Sequence, residues 1–200
     1  MSTNILDNEK HHKNLMLIDT HLKSINDNNK SSFKKCALAT QYGLIPEVRT
    51  VILRKWVLKR QTLMFHTDLR SPKVKQLKHN PNCSLLFYSQ TEQIQLRFRC
   101  RAHIHSHNRL AQYIYNETTQ HQRELYEWDQ APSTPHPYSS LNEAKRHSQK
   151  INLKSAYDHF CVCVCNFTEL DCLSLKKEGH VRFLYKWDKH GTLSATTLVA

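Results

Sequence analysis

Between Gln93 and His105 the chain alternates with period two. Gln95, Arg97, Arg99 and Arg101 take the odd positions; Leu96, Phe98, Cys100 and Ala102 take the even ones. Successive side chains of a strand point to opposite faces, so the segment is committed to a β-strand with one basic and one apolar face. Shorter segments read the same way. Cys36–Thr40, Val48–Trp56, Gln61–His66, Cys83–Tyr88, Phe160–Asn166, Leu170–Leu175, Val181–Trp187 and Leu193–Val199 carry apolar or β-branched runs of strand length.

Helical signals lie between and outside these runs. Leu15, Ile18, Leu22 and Ile25 recur at helical spacing within residues 9–29, so the N-terminal segment 1–30 is expected to hold an amphipathic helix. Ser71-Pro72 reads as an N-cap and first helical residue, with the helix stopping near Asn80-Pro81. Residues 108–128 read as helical, 129–140 as a loop with Pro132, Pro135 and Pro137, and 141–153 as a short helix. Helices do not alternate with strands, so the pattern fits a βαβ array poorly. The expected fold is mainly β: one domain over residues 1–200, a β-barrel of six to eight strands with peripheral helices.

Charge is concentrated in the middle of this pattern. From Arg49 to Arg101 there are 12 Lys and Arg against 2 acids, Asp68 and Glu92, which places +10 of the net +12 in about a quarter of the chain. Such a stretch between short apolar strands suits an anionic ligand. The chain has 3 glycines, Gly43, Gly179 and Gly191, so neither a glycine-rich phosphate loop nor a dinucleotide fingerprint is available. A phosphate must then be held by Arg, Lys, Ser and Thr side chains. A helix start at Ser71, with Arg70 beside it and Lys73 in the first turn, offers free amides and cations together. Arg49 and Arg54 flank the preceding β-branched strand.

The 7 cysteines form no C-x-x-C pair. They read as small buried residues with reduced thiols, Cys161, Cys163 and Cys165 sharing one strand face. No apolar run reaches the roughly 20 residues of a membrane helix, and the first residues lack the apolar core of a secretory signal. A soluble, cytoplasmic chain is expected. His103, His105 and His107 read as surface residues at a strand end, and no metal site is expected.

The order of these pieces resembles the pyridoxamine 5′-phosphate oxidase family of FMN-binding split barrels. Its Arg-x-Val-x-Leu-Lys strand is similar to Arg49-Thr-Val51-Ile-Leu53-Arg54. Its Tyr-Thr pair and Ser-Arg-Lys segment resemble His66-Thr67 and Arg70-Ser71-Pro72-Lys73, leading to Gln76-Leu77 and Asn80-Pro81. Its His-x-Arg resembles His180-Val-Arg182. The resemblance implies FMN as cofactor, held by Arg49, Thr50, Val51, His66, Thr67, Arg70, Ser71, Lys73, Gln95 and Arg182. Arg49, Ser71 and Lys73 would take the phosphate. It implies Arg54, Tyr113 and Arg123 on the substrate side and His180 as a proton-handling catalytic group. It also implies a homodimer, because the family's site lies between two subunits. On the substrate side the family's Tyr, Arg and Ser fall at Tyr113, Glu117 and His121, and its Arg-x-His-x-Arg begins with Glu178.

The implied activity is an FMN-dependent oxidoreductase. A reduced small-molecule donor, a pyridoxine-type phosphate among the candidates, would pass a hydride to flavin N5, with reoxidation by oxygen or another acceptor. The alternatives are a flavin reductase, a flavin or haem carrier without turnover, and a nucleic-acid-binding β-barrel. For the last, a pI near 9.5 counts in favour and the turning of Phe98 away from Arg97 and Arg99 counts against.

Overall fold

The computed structural model describes residues 5–25, 31–128, 130–135, 153–177 and 179–200. Eight strands form one antiparallel sheet: β1 (Lys35–Tyr42), β2 (Ile45–Val57), β3 (Thr62–Asp68), β4 (Asn82–Ser89), β5 (Ile94–His105), β6 (Phe160–Ser174), β7 (Val181–Trp187) and β8 (Leu193–Leu198). The order is β3-β2-β1-β4-β5-β6-β7-β8, and β3 also pairs with β6. Six strands therefore close into a barrel, and β7 and β8 extend the sheet beyond it. This is the mainly β barrel with peripheral helices expected from the strand pattern.

The length of β6 makes that closure possible. Its first half, Phe160–Asn166, pairs with β3, and its second half, Glu169–Ser174, pairs with β7. Its other edge follows β5 throughout. The sequence suggested two strands here, 160–166 and 170–175. They are one strand with a bulge, because Arg99 faces Glu169 while Cys100 faces Phe167, leaving Thr168 unpaired. A bulge bends a strand and strengthens its twist, which a strand shared between barrel and extension needs.

The alternation of β5 is realised as written. Leu96, Phe98, Cys100 and Ala102 are buried; Arg97, Arg99 and Arg101 are on the outside. Phe98 packs edge-on against Phe87, Trp56 and Phe167, and Trp56 stacks on Phe167 with ring centroids 5.2 Å apart. Helix α1 (Ile5–Lys23) buries Leu15, Ile18 and Leu22 against this core. It is pinned by two hydrogen bonds between residues distant in sequence. The Trp56 indole N–H donates to Asp19 Oδ1 at 2.7 Å, and Asn14 Nδ2 donates to the Tyr185 hydroxyl at 2.9 Å.

Helix α2 (Pro72–His79) begins where Ser71-Pro72 placed it and packs against β1 and β5, with Leu77 in the core. The helix expected over 108–128 is broken. α3 (Arg109–Glu117) ends as Thr118 turns to extended backbone and its hydroxyl donates to the Tyr115 carbonyl at 2.6 Å. Thr119 then N-caps α4 (Gln120–Arg123), which runs into a 3₁₀ turn at Glu124–Tyr126. Two adjacent threonines thus supply both a helix stop and a helix start. α5 (Leu153–His159) leads into β6. Most of the helix expected over 141–153, together with Asn26–Asn29, Pro137 and Glu178, lies outside the described residues.

Candidate functional site

Three groups of the predicted site residues emerge, on three parts of the fold. The first lies where β2, β3 and α2 meet. Arg49 on β2 is drawn toward β1 and α2. Its guanidinium donates to Thr40 Oγ1, to Gln76 Oε1 at 2.9 Å and to the Leu38 carbonyl at 3.4 Å, while the Thr40 hydroxyl donates to Gln76 Oε1 at 2.6 Å. Thr40 and Gln76 are buried. Two neutral residues therefore aim Arg49 while, among the described residues, its charge is offset by Glu47 Oε2, at 3.4 Å on an exposed side chain.

Lys73, in the first turn of α2, donates to Thr67 Oγ1 at 3.1 Å. Burial lowers its pKa, and the Arg49 charge lowers it further. Burial also lowers that of Arg49. Two cations are thus held close enough to repel, in partly desolvated positions. Between them in sequence sits Ser71, fully buried, whose hydroxyl has no hydrogen-bond partner and makes no side-chain cap to its helix. Buried hydroxyls are nearly always paired, so an orphan at a helix start beside two cations fits an anion with oxygen acceptors. The donor set suits a phosphate monoester and meets the requirement set by the scarcity of glycine.

Arg70 is engaged elsewhere. It chelates Asp68, Nε to Oδ1 at 3.0 Å and Nη2 to Oδ2 at 2.7 Å, and donates to the carbonyls of Trp128 at 3.0 Å and Gln130 at 3.3 Å. It ties the 128–130 segment to the turn before α2. Thr50 is exposed on β2, and the Val51 side chain is part of the core, so Val51 could meet a ligand only through its backbone.

The second group lines a cavity of about 380 Å³ between β2, β3 and α3, which holds Arg54, His66, Tyr113 and Glu117. It lies on the other face of β3 from Thr67, because neighbouring strand residues point oppositely. His66 packs edge-on against Phe160 at 5.1 Å. Burial, with the Arg54 charge adding to it, lowers its pKa to about 4, so its imidazole is neutral at physiological pH. Arg54 makes no hydrogen bond among the described residues. Arg123 turns away from this cavity. Its guanidinium lies 5.1 Å over the Tyr115 ring and donates to the Asn116 carbonyl at 2.7 Å, closing the end of α3.

The third group is on the outer face of β5, β6 and β7. Gln95 faces Leu173, which faces Arg182. Arg182 grips buried Asp171 through Nε to Oδ1 at 3.0 Å and Nη2 to Oδ2 at 2.7 Å, and Arg97 reaches the same carboxylate at 2.5 Å. Burial opposes the Asp171 charge, but the two arginines outweigh it and its pKa falls. His180 is exposed just ahead of β7.

Residues 13–106 match the family described as pyridoxamine 5′-phosphate oxidase, FMN-binding domain. This segment contains Arg49, Thr67, Ser71, Lys73 and Gln95. The resemblance carried by the Arg49–Arg101 stretch is therefore shown over that part of the chain. Solved structures extend the likeness in fold. A pyridoxamine 5′-phosphate oxidase-related, FMN-binding protein from Nostoc punctiforme is 20% identical, covers 100% of both chains and has a TM-score of 0.74. PhzG from Burkholderia lata, solved with tetrahydrophenazine-1-carboxylic acid, is 14% identical over 93% of this chain and 92% of its own, with a TM-score of 0.70. A general stress protein 26-related protein of the pyridoxinephosphate oxidase family from Clostridium acetobutylicum is 13% identical over 82% and 93%, with a TM-score of 0.52. No curated protein matches the sequence.

The residues that the sequence reading passed over are the supports: Thr40, Gln76, Asp68 and Asp171. Each is a polar side chain that the fold buries. In Asp171 that signal was visible, as an acid between Leu170 and Cys172 with arginines on both neighbouring strands.

Proposed function

We propose that the protein is an FMN-binding oxidoreductase whose phosphate clamp is Arg49, Ser71 and Lys73. The observation that carries this reading is the buried, unpartnered Ser71 hydroxyl two residues before Lys73, whose charge the partly desolvated Arg49 opposes, within the segment that matches the FMN-binding family. When bound, FMN would supply a two-electron acceptor able to take a hydride from a reduced donor and be reoxidised by oxygen or another acceptor. The chain's own part is binding and orientation. Lys73 and Arg49 offer charge to the phosphate, and the Ser71 hydroxyl donates to it at the start of α2. The cavity with Arg54, His66, Tyr113 and Glu117 is the proposed substrate site. Arg54 would hold an anionic group, and the neutral His66 imidazole is able to accept a hydrogen bond there. Glu117 sets an acid against a doubly charged phosphate in this cavity, which favours a substrate other than a pyridoxine-type phosphate.

The reading includes a homodimer. Thr67 pairs with Cys161, whose neighbour Val162 pairs with His105 at one end of β5. Gln95 lies ten residues away along the same strand, about 33 Å at the usual strand rise. One flavin touching both Thr67 and Gln95 therefore draws them from two chains. Exposed Leu44, Ile45 and Val48 at the β1–β2 hairpin, with Tyr88 on β4, offer apolar surface for that association.

The test is a flavin titration followed by absorbance and fluorescence. Binding of FMN that weakens about tenfold or more in Arg49→Ala and in Lys73→Ala supports the clamp. Unchanged binding in both variants removes it.

A further inference from the structure

All seven cysteines are free thiols and buried. Four of them converge at one end of the barrel. Cys83 on β4 lies directly opposite Cys100 on β5. Cys165 neighbours this pair, and Cys163 Sγ lies 3.7 Å from Cys165 Sγ. None of this is used by the proposed clamp.

Geometry separates the pairs. Disulfides need Cα atoms roughly 4.4–6.8 Å apart, and directly opposed residues of an antiparallel ladder stand about 4.5 or 5.5 Å apart. Cys83 and Cys100 meet this without backbone movement. Cys163 and Cys165 are two residues apart on one strand, about 6.6 Å at the strand rise, at the outer limit. Cys83 and Cys165 are on strands separated by β5, about 9.6 Å at the usual spacing, and are too far. Access is also provided. Cys83 and Cys100 are each 8% exposed, where Cys163 and Cys165 are fully buried. They line an open cavity of about 550 Å³ with Asn82, Ser84, Arg99 and Arg101.

We propose that Cys83 and Cys100 are a peroxide-oxidised dithiol that closes to a disulfide between β4 and β5. Cys83 is the attacking thiol. The neighbouring Cys100 and Cys165 thiols hold its pKa below the usual thiol range, whereas Cys100 is pushed up. The Cys83 thiolate attacks hydrogen peroxide, an S–O bond forms, the O–O bond breaks, and the departing hydroxide is protonated to water. Cys100 sulfur then attacks Cys83 sulfur. The S–S bond forms, the S–O bond breaks, and hydroxide leaves as water with the Cys100 proton. Two thiols and one peroxide give one disulfide and two waters, the thiols oxidised and the peroxide reduced.

The experiment treats the reduced, full-length protein with hydrogen peroxide in its folded state, then denatures, alkylates and maps tryptic peptides. Trypsin separates the two cysteines, which fall in His79–Arg97 and Cys100–Arg101. The expected result is two fewer alkylated thiols than the seven of the reduced chain, a linked pair of those peptides, and full recovery with dithiothreitol. Cys100→Ser is expected to stop at a sulfenic acid on Cys83, captured by dimedone, and Cys83→Ser to give neither product. Seven alkylated thiols after peroxide, a link between other cysteines, or dimedone labelling away from Cys83 in Cys100→Ser overturns the proposal. The wild-type map decides even where a serine variant fails to fold.

Discussion

Replacing Ser71 by alanine should move stability and ligand affinity in opposite directions. The hydroxyl is fully buried and unpartnered in the free protein, so it carries the cost of an unsatisfied polar group, about 1–3 kcal/mol. An N-cap serine normally repays its burial by bonding a helix amide, and losing that bond costs about 1 kcal/mol. Ser71 makes no such bond, so Ser71→Ala removes the cost without removing a cap. The free variant should be more stable by about 1 kcal/mol, a rise of about 2–4 °C in Tm for a chain of this size. In the FMN complex the hydroxyl donates to a charged phosphate, a bond worth about 1.5–3 kcal/mol. Its loss should raise the Kd for FMN by about 10- to 150-fold. Thermal unfolding of the flavin-free protein and an FMN titration read the two effects separately. A free variant destabilised by about 1 kcal/mol, with unchanged FMN affinity, would show the hydroxyl to be an ordinary helix cap and refute the reasoning.

Two further outcomes follow from single side chains. His66 has a pKa of about 4 in the folded chain against 6.5 unfolded, so the unfolded state binds the extra proton between those values and stability rises with pH across that window. Urea titrations from pH 7 down to about 4 should show wild type losing up to about 3 kcal/mol more than His66→Gln; equal losses would contradict the assignment. Trp56→Phe deletes the indole donor to the buried Asp19 carboxylate, leaving it Lys23 at 2.6 Å among the described residues, and should cost about 1.5–3 kcal/mol in chemical unfolding; a cost near zero would mean that α1 is not held through Asp19.

How much of this was readable in the residues depends on the range of the interaction. The alternation in 93–105 declared the faces of β5 because a strand's period is local, and Ser71-Pro72 declared the start of α2 for the same reason. The bulge at Thr168 was not readable, since only the register against β5 shows that one residue is left unpaired. Nor was the break at Thr118: a hydroxyl turned back onto the Tyr115 carbonyl is one of several conformations a threonine pair can adopt. At the site, charge density pointed to Arg49 and Lys73, but not to the division of labour. Arg70 looked equivalent to them in sequence, and it is Asp68, two residues earlier, that claims its guanidinium. Likewise Gln95 and Arg182 are linked only through Leu173, a neighbour fixed by sheet order rather than by spacing along the chain.

The central claim is that this barrel holds a flavin by its phosphate. Calorimetric titration of the flavin-free protein with FMN and, in parallel, with riboflavin tests it most directly, because the two ligands differ only in that group. The clamp of Arg49, Ser71 and Lys73 predicts FMN binding with riboflavin weaker by about a hundredfold, as two charge-assisted contacts imply. Equal affinity for both ligands, or no FMN binding at high micromolar concentration, would contradict it.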